Sequence, residues 1–346
     1  MATTTRKVLG EELFQMSRLY WKSAVLLAGL RLEVFDLLRD TQSASAVGSA
    51  RGADAAAMEL LLNSLVALQI LEKESDGYRN TTFANAFLTE SSPMSMKLVW
   101  LHLADQWGAW GHLHHAVLRG EPTAMRWFEE ATRQGGSDLP EAHPDEHYVP
   151  CSTQISKLLA EEFVRKVDLT GVKRVLDVGG GAAGNYSHTI CRKLPDATAD
   201  ILDLPGTAEK AQQRAEAAGL GGRIRGIPGD ARENDYGSGY DLAIMSLFIH
   251  VFPAEIWQLI IRKAFKALAP SGRLAIMEYI LDDDRVGPEF STLYALYCLV
   301  NFKGGYAATL GEVEKWMYDA GFARVEHLDI YRGLIGVIGV KADEAV

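Results

Sequence analysis

The second half of this chain alternates short apolar runs with helical stretches, and that rhythm restricts the fold more than any other feature. VLDVGGG (175–181) is followed by β-type runs at 197–205, 223–230, 241–250 and 273–281. Between them lie YSHTICRKL (186–194), GTAEKAQQRAEAAG (206–219) and PAEIWQLIIRKAFKALAP (253–270). Strands joined through helices need crossover connections, which predicts a parallel sheet covered on both faces. After a helical stretch at 308–322, the runs at 323–332 and 334–342 are separated by a short turn, which predicts an antiparallel ending.

The first half reads differently. Apolar positions repeat at helical spacing over 11–39, with Leu13, Met16, Leu19, Tyr20 and Val25 among them. A polar stretch, TQSASAVGSARGAD (41–54), precedes a strongly apolar helix over 55–73. Residues 74–88 hold an Asp-Gly turn between two short extended runs. Helix, helix and small hairpin make a winged-helix pattern. Residues 94–119 form a further aromatic-rich helical stretch with Trp100, Trp107 and Trp110. The segment 133–146, rich in Gly, Pro and charge, reads as an exposed loop. The expected domains are 1–165 and 166–346.

The formal net charge is −10 over 346 residues. The first half carries 15 basic against 21 acidic side chains and offers no basic platform for a phosphate backbone, so nucleic acid is a poor partner. No apolar run reaches the ~18 residues that a membrane span needs. Cys151, Cys191 and Cys298 are widely spaced and form neither a disulfide framework nor a CxxC site; with no secretory leader in the sequence, a cytoplasmic location is expected. His112, His114 and His115 invite a metal reading, yet no carboxylate or cysteine stands at ligand spacing, so no metal site is expected.

Chemistry concentrates at the strand ends. Asp177 opens DVGGGAAG, where glycines permit close backbone approach and a helix N-terminus offers free N–H groups. Asp203 in LDLP ends the next strand, where a carboxylate can accept from a ribose diol. Asp230 follows Gly229 at the end of the third. His250 ends 241–250, and Glu278 lies towards the end of the run at 273–281.

DVGGGAAG, LDLP, GD, LFIH and GRLAIMEYIL, in this order, resemble class I S-adenosylmethionine-dependent methyltransferases. With the winged-helix half, the chain is similar to the small-molecule O-methyltransferase family of plant phenolic and bacterial natural-product enzymes. GVKRVLDVGGG, DLPGTAEKA and RKAFKALAPSGRLAIMEYILDDD are similar to its bacteriochlorophyllide C-20 methyltransferase branch. The resemblance implies a Rossmann-like α/β catalytic domain behind a winged-helix dimerisation domain, and a homodimer. It implies S-adenosylmethionine as cofactor and S-adenosylhomocysteine as product, held by Asp177, Gly179, Gly181, Asp203, Leu204, Asp230, Ala231 and Ser246. It implies His250 as general base oriented by Glu278, and an aromatic acceptor lined by Trp107, Tyr148, Phe248, Tyr294, Tyr297 and Phe302. The chain departs from the family at three points. His250-Val251-Phe252 replaces His-Asp-Trp, Ala183 replaces the third loop glycine, and Ala307 stands where many members carry a second glutamate. Transfer to carbon or nitrogen, and a non-methylating reaction on the same fold, are the alternatives.

Overall fold

A computed structural model describes residues 2–124 and 147–343; the expected loop at 133–146 lies outside the described residues. Packing divides the chain into two compact units, residues 1–105 and 106–346. The described residues of 106–165, grouped by sequence rhythm with the first domain, fall in the second unit. There, the helix Leu113–Arg119 lies against the helix Glu289–Asn301, and the Thr123 and Ala124 N–H groups donate to the Val300 carbonyl at 3.0 and 2.9 Å.

In the first unit the long apolar stretch is broken into α1 (Ala2–Ser17), α2 (Leu19–Arg31) and α3 (Val34–Leu37). Glu33 adopts a left-handed φ of 49°, which ends the helical run and turns Val34 and Phe35 into the core. Ser43 caps α4 (Ala44–Arg51) and Asp54 caps α5 (Ala55–Ala67), each accepting a backbone N–H of the first turn. The hairpin follows as β1 (Leu71–Lys73) and β2 (Tyr78–Asn80). Gly77 belongs in its turn because a Cβ there would come within 2.3 Å of the Gln42 carbonyl oxygen. Next come α6 (Thr82–Phe87) and α7 (Lys97–Asp105). Leu30, Phe35, Leu38, Met58, Leu62 and Leu65 form the core. Each such side chain, once buried, contributes roughly 1.5–3 kcal/mol. Leu13, Phe14, Met16, Leu19 and Trp21 instead lie exposed along α1 and α2.

The second unit opens with α8 (Trp107–Gly111), α9 (Leu113–Arg119) and α10 (Tyr148–Lys166). The helix expected over 94–119 is thus three short ones, and the two glycines of α8, poor helix formers, mark the interrupted stretch. Then follow β3 (Arg174–Val178), α11 (Asn185–Lys193), β4 (Thr198–Asp203), α12 (Pro205–Ala217), β5 (Ile224–Pro228), β6 (Tyr240–Ser246), α13 (Ala254–Ala267) and β7 (Leu268–Glu278). The unit closes with α14 (Glu289–Asn301), α15 (Leu310–Ala320), β8 (Arg324–Tyr331) and β9 (Leu334–Val340). The sheet order is β5-β4-β3-β6-β7-β9-β8. The first five strands pair in parallel, and β9 runs antiparallel to both its neighbours.

Successive side chains on one strand enter opposite cores, as the two-residue period requires. On β6, Leu242 and Ile244 face the core under α11 and α12; Ala243 and Met245 face Trp257, Ile260 and Trp316 of α13 and α15. From β3 the chain winds outward to β4 and β5, then returns to place β6 on the other side. The carboxyl ends of β3 and β6 therefore flank a switch point, where open α/β sheets leave a ligand crevice. The three cysteine thiols are free and buried. Among the described residues no helix is long and apolar enough to cross a membrane.

His188 on α11 is buried, and its Nε2 has no hydrogen-bond partner. Burial, reinforced by Arg192 and Arg214, pushes its pKa down to about 4. The unfolded chain, with a histidine pKa near ~6.5, binds this proton first on acidification. Stability should therefore fall as pH drops from about 6.5 towards 4, measured by urea denaturation, and His188→Gln should flatten the profile in that window.

Candidate active site

The turn after β3 is built by crowding. Gly179 and Gly181 take φ of 70° and 72°, which side chains with a Cβ rarely adopt. A Cβ on Gly179 would enter the Phe248 ring at 2.2 Å, and one on Gly180 would come within 2.6 Å of the Asp177 carboxyl carbon. Beside Gly181 there is open space. Gly184, also left-handed, then caps α11.

Asp177 is buried at the end of β3 and accepts from the Ser187 hydroxyl at 2.8 Å. Burial pushes its carboxyl up to about 6 against that hydrogen bond, and the nearby Asp203 adds to the rise. Asp203 ends β4. It accepts from Gly181 N–H at 2.9 Å and from Leu204 N–H at 2.8 Å, and burial raises its pKa too.

Past β5, Asp230 accepts from the Arg232 side chain and, at 2.8 Å, from its backbone N–H. The Arg232 hydrogen bonds hold the Asp230 carboxyl below the usual range. Ala231 is buried, and its carbonyl accepts from Lys263 Nζ at 3.0 Å and from the Tyr236 hydroxyl at 2.8 Å. Ser246, at the end of β6, shares a 2.6 Å hydrogen bond with the Tyr186 hydroxyl. Sequence reasoning missed Arg232, Lys263, Tyr236 and Tyr186. Only the position of Arg232, two residues past an aspartate in a turn, hinted at its role.

His250 lies on a short 3₁₀ turn, Ile249–Val251, and is 4% exposed; Glu278, at the end of β7, is 1% exposed. Nδ1 of His250 stands 3.0 Å from Glu278 Oε1 and 3.2 Å from Oε2. Oε1 also accepts the Phe248 N–H at 3.0 Å. Tyr294 brings its hydroxyl to the same imidazole. Its ring stacks on Tyr297 at 5.2 Å, and Phe302 lies 5.4 Å from the His250 ring. Burial, then the Glu278 charge and the neighbouring Cys298, Tyr297 and Tyr148, keep the Tyr294 phenol protonated far above its usual range.

The structure therefore brings His250, Glu278, Tyr294, Tyr297 and Phe302 together. Phe248 covers Gly179 of the glycine turn and meets Phe252 edge to face at 5.4 Å. Trp107 lies on α8, 42% exposed, and Tyr148 begins α10. Ala307 is buried and presents no carboxylate. The rings of His112, His114 and His115 lie side by side, 4.1–6.4 Å apart. Among the described residues no group of three or more His, Cys, Asp or Glu is arranged to hold a metal ion.

Comparison with known proteins gives consistent matches. A family model described as an O-methyltransferase domain matches residues 110–323, and one described as an O-methyltransferase dimerisation domain matches residues 14–90. The chain is 29% identical over 337 residues to 3-hydroxy-5-methyl-1-naphthoate 3-O-methyltransferase of Streptomyces sahachiroi, covering 93% of this chain and 92% of that one. It is 29% identical over 333 residues to demethylspheroidene O-methyltransferase of Cereibacter sphaeroides, covering 94% and 84%. A solved O-methyltransferase family protein from Burkholderia thailandensis superposes with TM-score 0.84 at 25% identity, covering 96% and 98%.

The crowding at the glycine turn is testable. Gly180→Ala should destabilise the protein by about 1–3 kcal/mol in urea denaturation, because the new methyl group overpacks against Asp177. Gly206→Ala in α12, with open space around it, should instead stabilise by roughly 0.5–1 kcal/mol.

Proposed function

The chain belongs to the O-methyltransferase family, and we propose that it moves the methyl group of S-adenosylmethionine to a hydroxyl of an aromatic small molecule, with His250 as general base. The buried contact between His250 Nδ1 and Glu278 carries this reading. The carboxylate keeps the proton on Nδ1, so the Nε2 lone pair is left for the acceptor's hydroxyl. A phenol of pKa ~10 gives up its proton to an imidazole of ~6.5 only as its oxygen attacks, which is the moment at which a general base helps. The aromatic rings around His250 suit a flat, apolar acceptor. The naphthoate substrate in the name of the Streptomyces relative supports the same class.

The residues present fit the cofactor. Asp203 uses one lone pair for each of two backbone N–H groups, and an ionised carboxylate has about four sites, so two remain for a ribose diol. The open side of Gly181 lets a ligand approach the backbone. When bound, S-adenosylmethionine supplies a methyl group on a cationic sulfur. His250 takes the acceptor's proton at Nε2, and Glu278 stabilises the imidazolium that forms. Burial of both side chains keeps water from screening that attraction.

The match of the dimerisation domain to residues 14–90 and the exposed apolar side chains of α1 and α2 support a homodimer. Light scattering should give twice the 38.0 kDa chain mass, and a Met16→Asp, Leu19→Asp double variant should shift the population towards monomer.

Calorimetric titration should show micromolar S-adenosylhomocysteine binding by the wild type, weakened at least tenfold in Asp203→Ala. Such a loss matches the ~1.5–3 kcal/mol typical of hydrogen bonds to a charged group. His250→Ala should keep cofactor affinity and lose 10²-fold or more of kcat on hydroxynaphthoates, a loss typical of removing a general base. Full turnover by His250→Ala would instead favour transfer to an acceptor that needs no base.

A further inference from the structure

The Gly229 N–H donates to the Asp203 carbonyl at 2.8 Å, so the turn that follows β5 starts against the residue that ends β4. That turn is held in place. The Asp230 N–H donates to Asn234 Oδ1 at 2.6 Å, and the Ala231 carbonyl takes both Lys263 Nζ and the Tyr236 hydroxyl. Within the turn, Arg232 closes on Asp230. Its backbone N–H and Nε reach Oδ1 at 2.8 and 3.0 Å, while Nε and Nη2 reach Oδ2. A carboxylate has about four acceptor sites, and these four contacts take them up. Asp230 is left with little to offer a ligand's N–H.

The guanidinium has donors to spare. Its Nε–Nη2 edge is turned to Asp230, so Nη1 faces away from the carboxylate with two N–H groups, and none of the described residues accepts from them. The same guanidinium lies 5.7 Å from the centre of the Phe252 ring. Phe252 in turn meets Phe248, the ring that covers Gly179. One cation thus reaches from the turn after β5 to the segment after β6, at the rim of the crevice that holds the glycine turn.

What Nη1 faces follows from the cofactor's own connectivity, and this step rests on the cofactor reading above. In a ribose whose diol sits on Asp203, the two hydroxyl-bearing carbons lie between the carbon that bears the base and the carbon that leads to sulfur. Base and sulfur therefore leave the diol in opposite directions. The sulfur has to reach an acceptor beside His250, past β6. The order β5-β4-β3-β6 then sends the base to the β5 side, onto the turn at 229–232. The ring nitrogens of adenine carry lone pairs, which the planar N–H groups of a guanidinium match. We propose that Arg232 binds the base of S-adenosylmethionine, donating from Nη1 to a ring nitrogen, and that Asp230 serves by holding Arg232 rather than by accepting the amino group of the base.

Calorimetric titration of the full chain with S-adenosylhomocysteine tests this. Arg232→Ala should bind about five- to tenfold more weakly than the wild type, the size of one hydrogen bond from a charged donor at a partly exposed site. Unchanged binding overturns the proposal. So does tighter binding, which would mean that the base displaces the arginine and takes the carboxylate for itself. A second titration uses the analogue with purine in place of adenine, which lacks the amino group but keeps the ring nitrogens. The ratio of its Kd to that of S-adenosylhomocysteine reports only on what meets the amino group. Asp230→Asn should weaken both compounds alike and leave this ratio within about threefold of the wild-type value. A larger change places the amino group on Asp230 and overturns the proposal, and this ratio decides alone should Arg232→Ala fail to fold. Failure of the cofactor reading looks different, as a folded wild type that binds no S-adenosylhomocysteine.

Discussion

A carboxylate buried at the end of β7 sets the terms for the whole carboxyl edge of the sheet. Glu278 is 1% exposed, and an isolated charge in such a place would cost many kcal/mol. It is kept there by two partners from the segment that follows β6, the Phe248 N–H and the His250 ring. The same carboxylate therefore closes the backbone after β6 and holds the imidazole at Nδ1. Removing the His250 ring would leave the buried carboxylate with the Phe248 N–H alone, and a buried charge stripped of a partner is costly.

From that anchor the rest of the edge follows by contact. Once the Phe248 N–H is held by Glu278, the Phe248 ring lies where a side chain on Gly179 would stand. The glycine turn after β3 is thus shaped by the strand on its far side as well as by its own left-handed dihedrals. Asp203 pulls the same turn from the opposite flank through the Gly181 N–H. The His250 ring and the glycine turn are in this way built as one object, with a single ring, Phe248, between them.

Much of this was legible in the residues alone. The sheet was readable because a strand buried on both faces has to be apolar along its length, as in Leu242 to Met245. Asp177, Asp203 and Asp230 could be found because each stands at or just past the end of a strand, and strand ends in such a sheet share one edge. The breaks after Ser17 and Arg31 were less visible, since the apolar period runs on through both. The division at 105/106 was hidden for a similar reason. Helices of either unit carry the same pattern, and only their packing partners tell them apart.

The sequence by itself determined the order of strands and helices, the glycine turn and the presence of a histidine and a glutamate at neighbouring strand ends. These follow from local chemistry, through side-chain period, backbone freedom and the position of polar residues at strand termini. Only the tertiary structure decided what each of those groups touches. Tyr294 lies 44 positions from His250, and Tyr186 lies 60 from Ser246. Arg232 takes up a carboxylate that its position alone would have left open to a ligand. Such pairings depend on which helix is laid over which strand end. That is settled by the filling of the two cores, a property of the whole packed chain that no short stretch of residues carries.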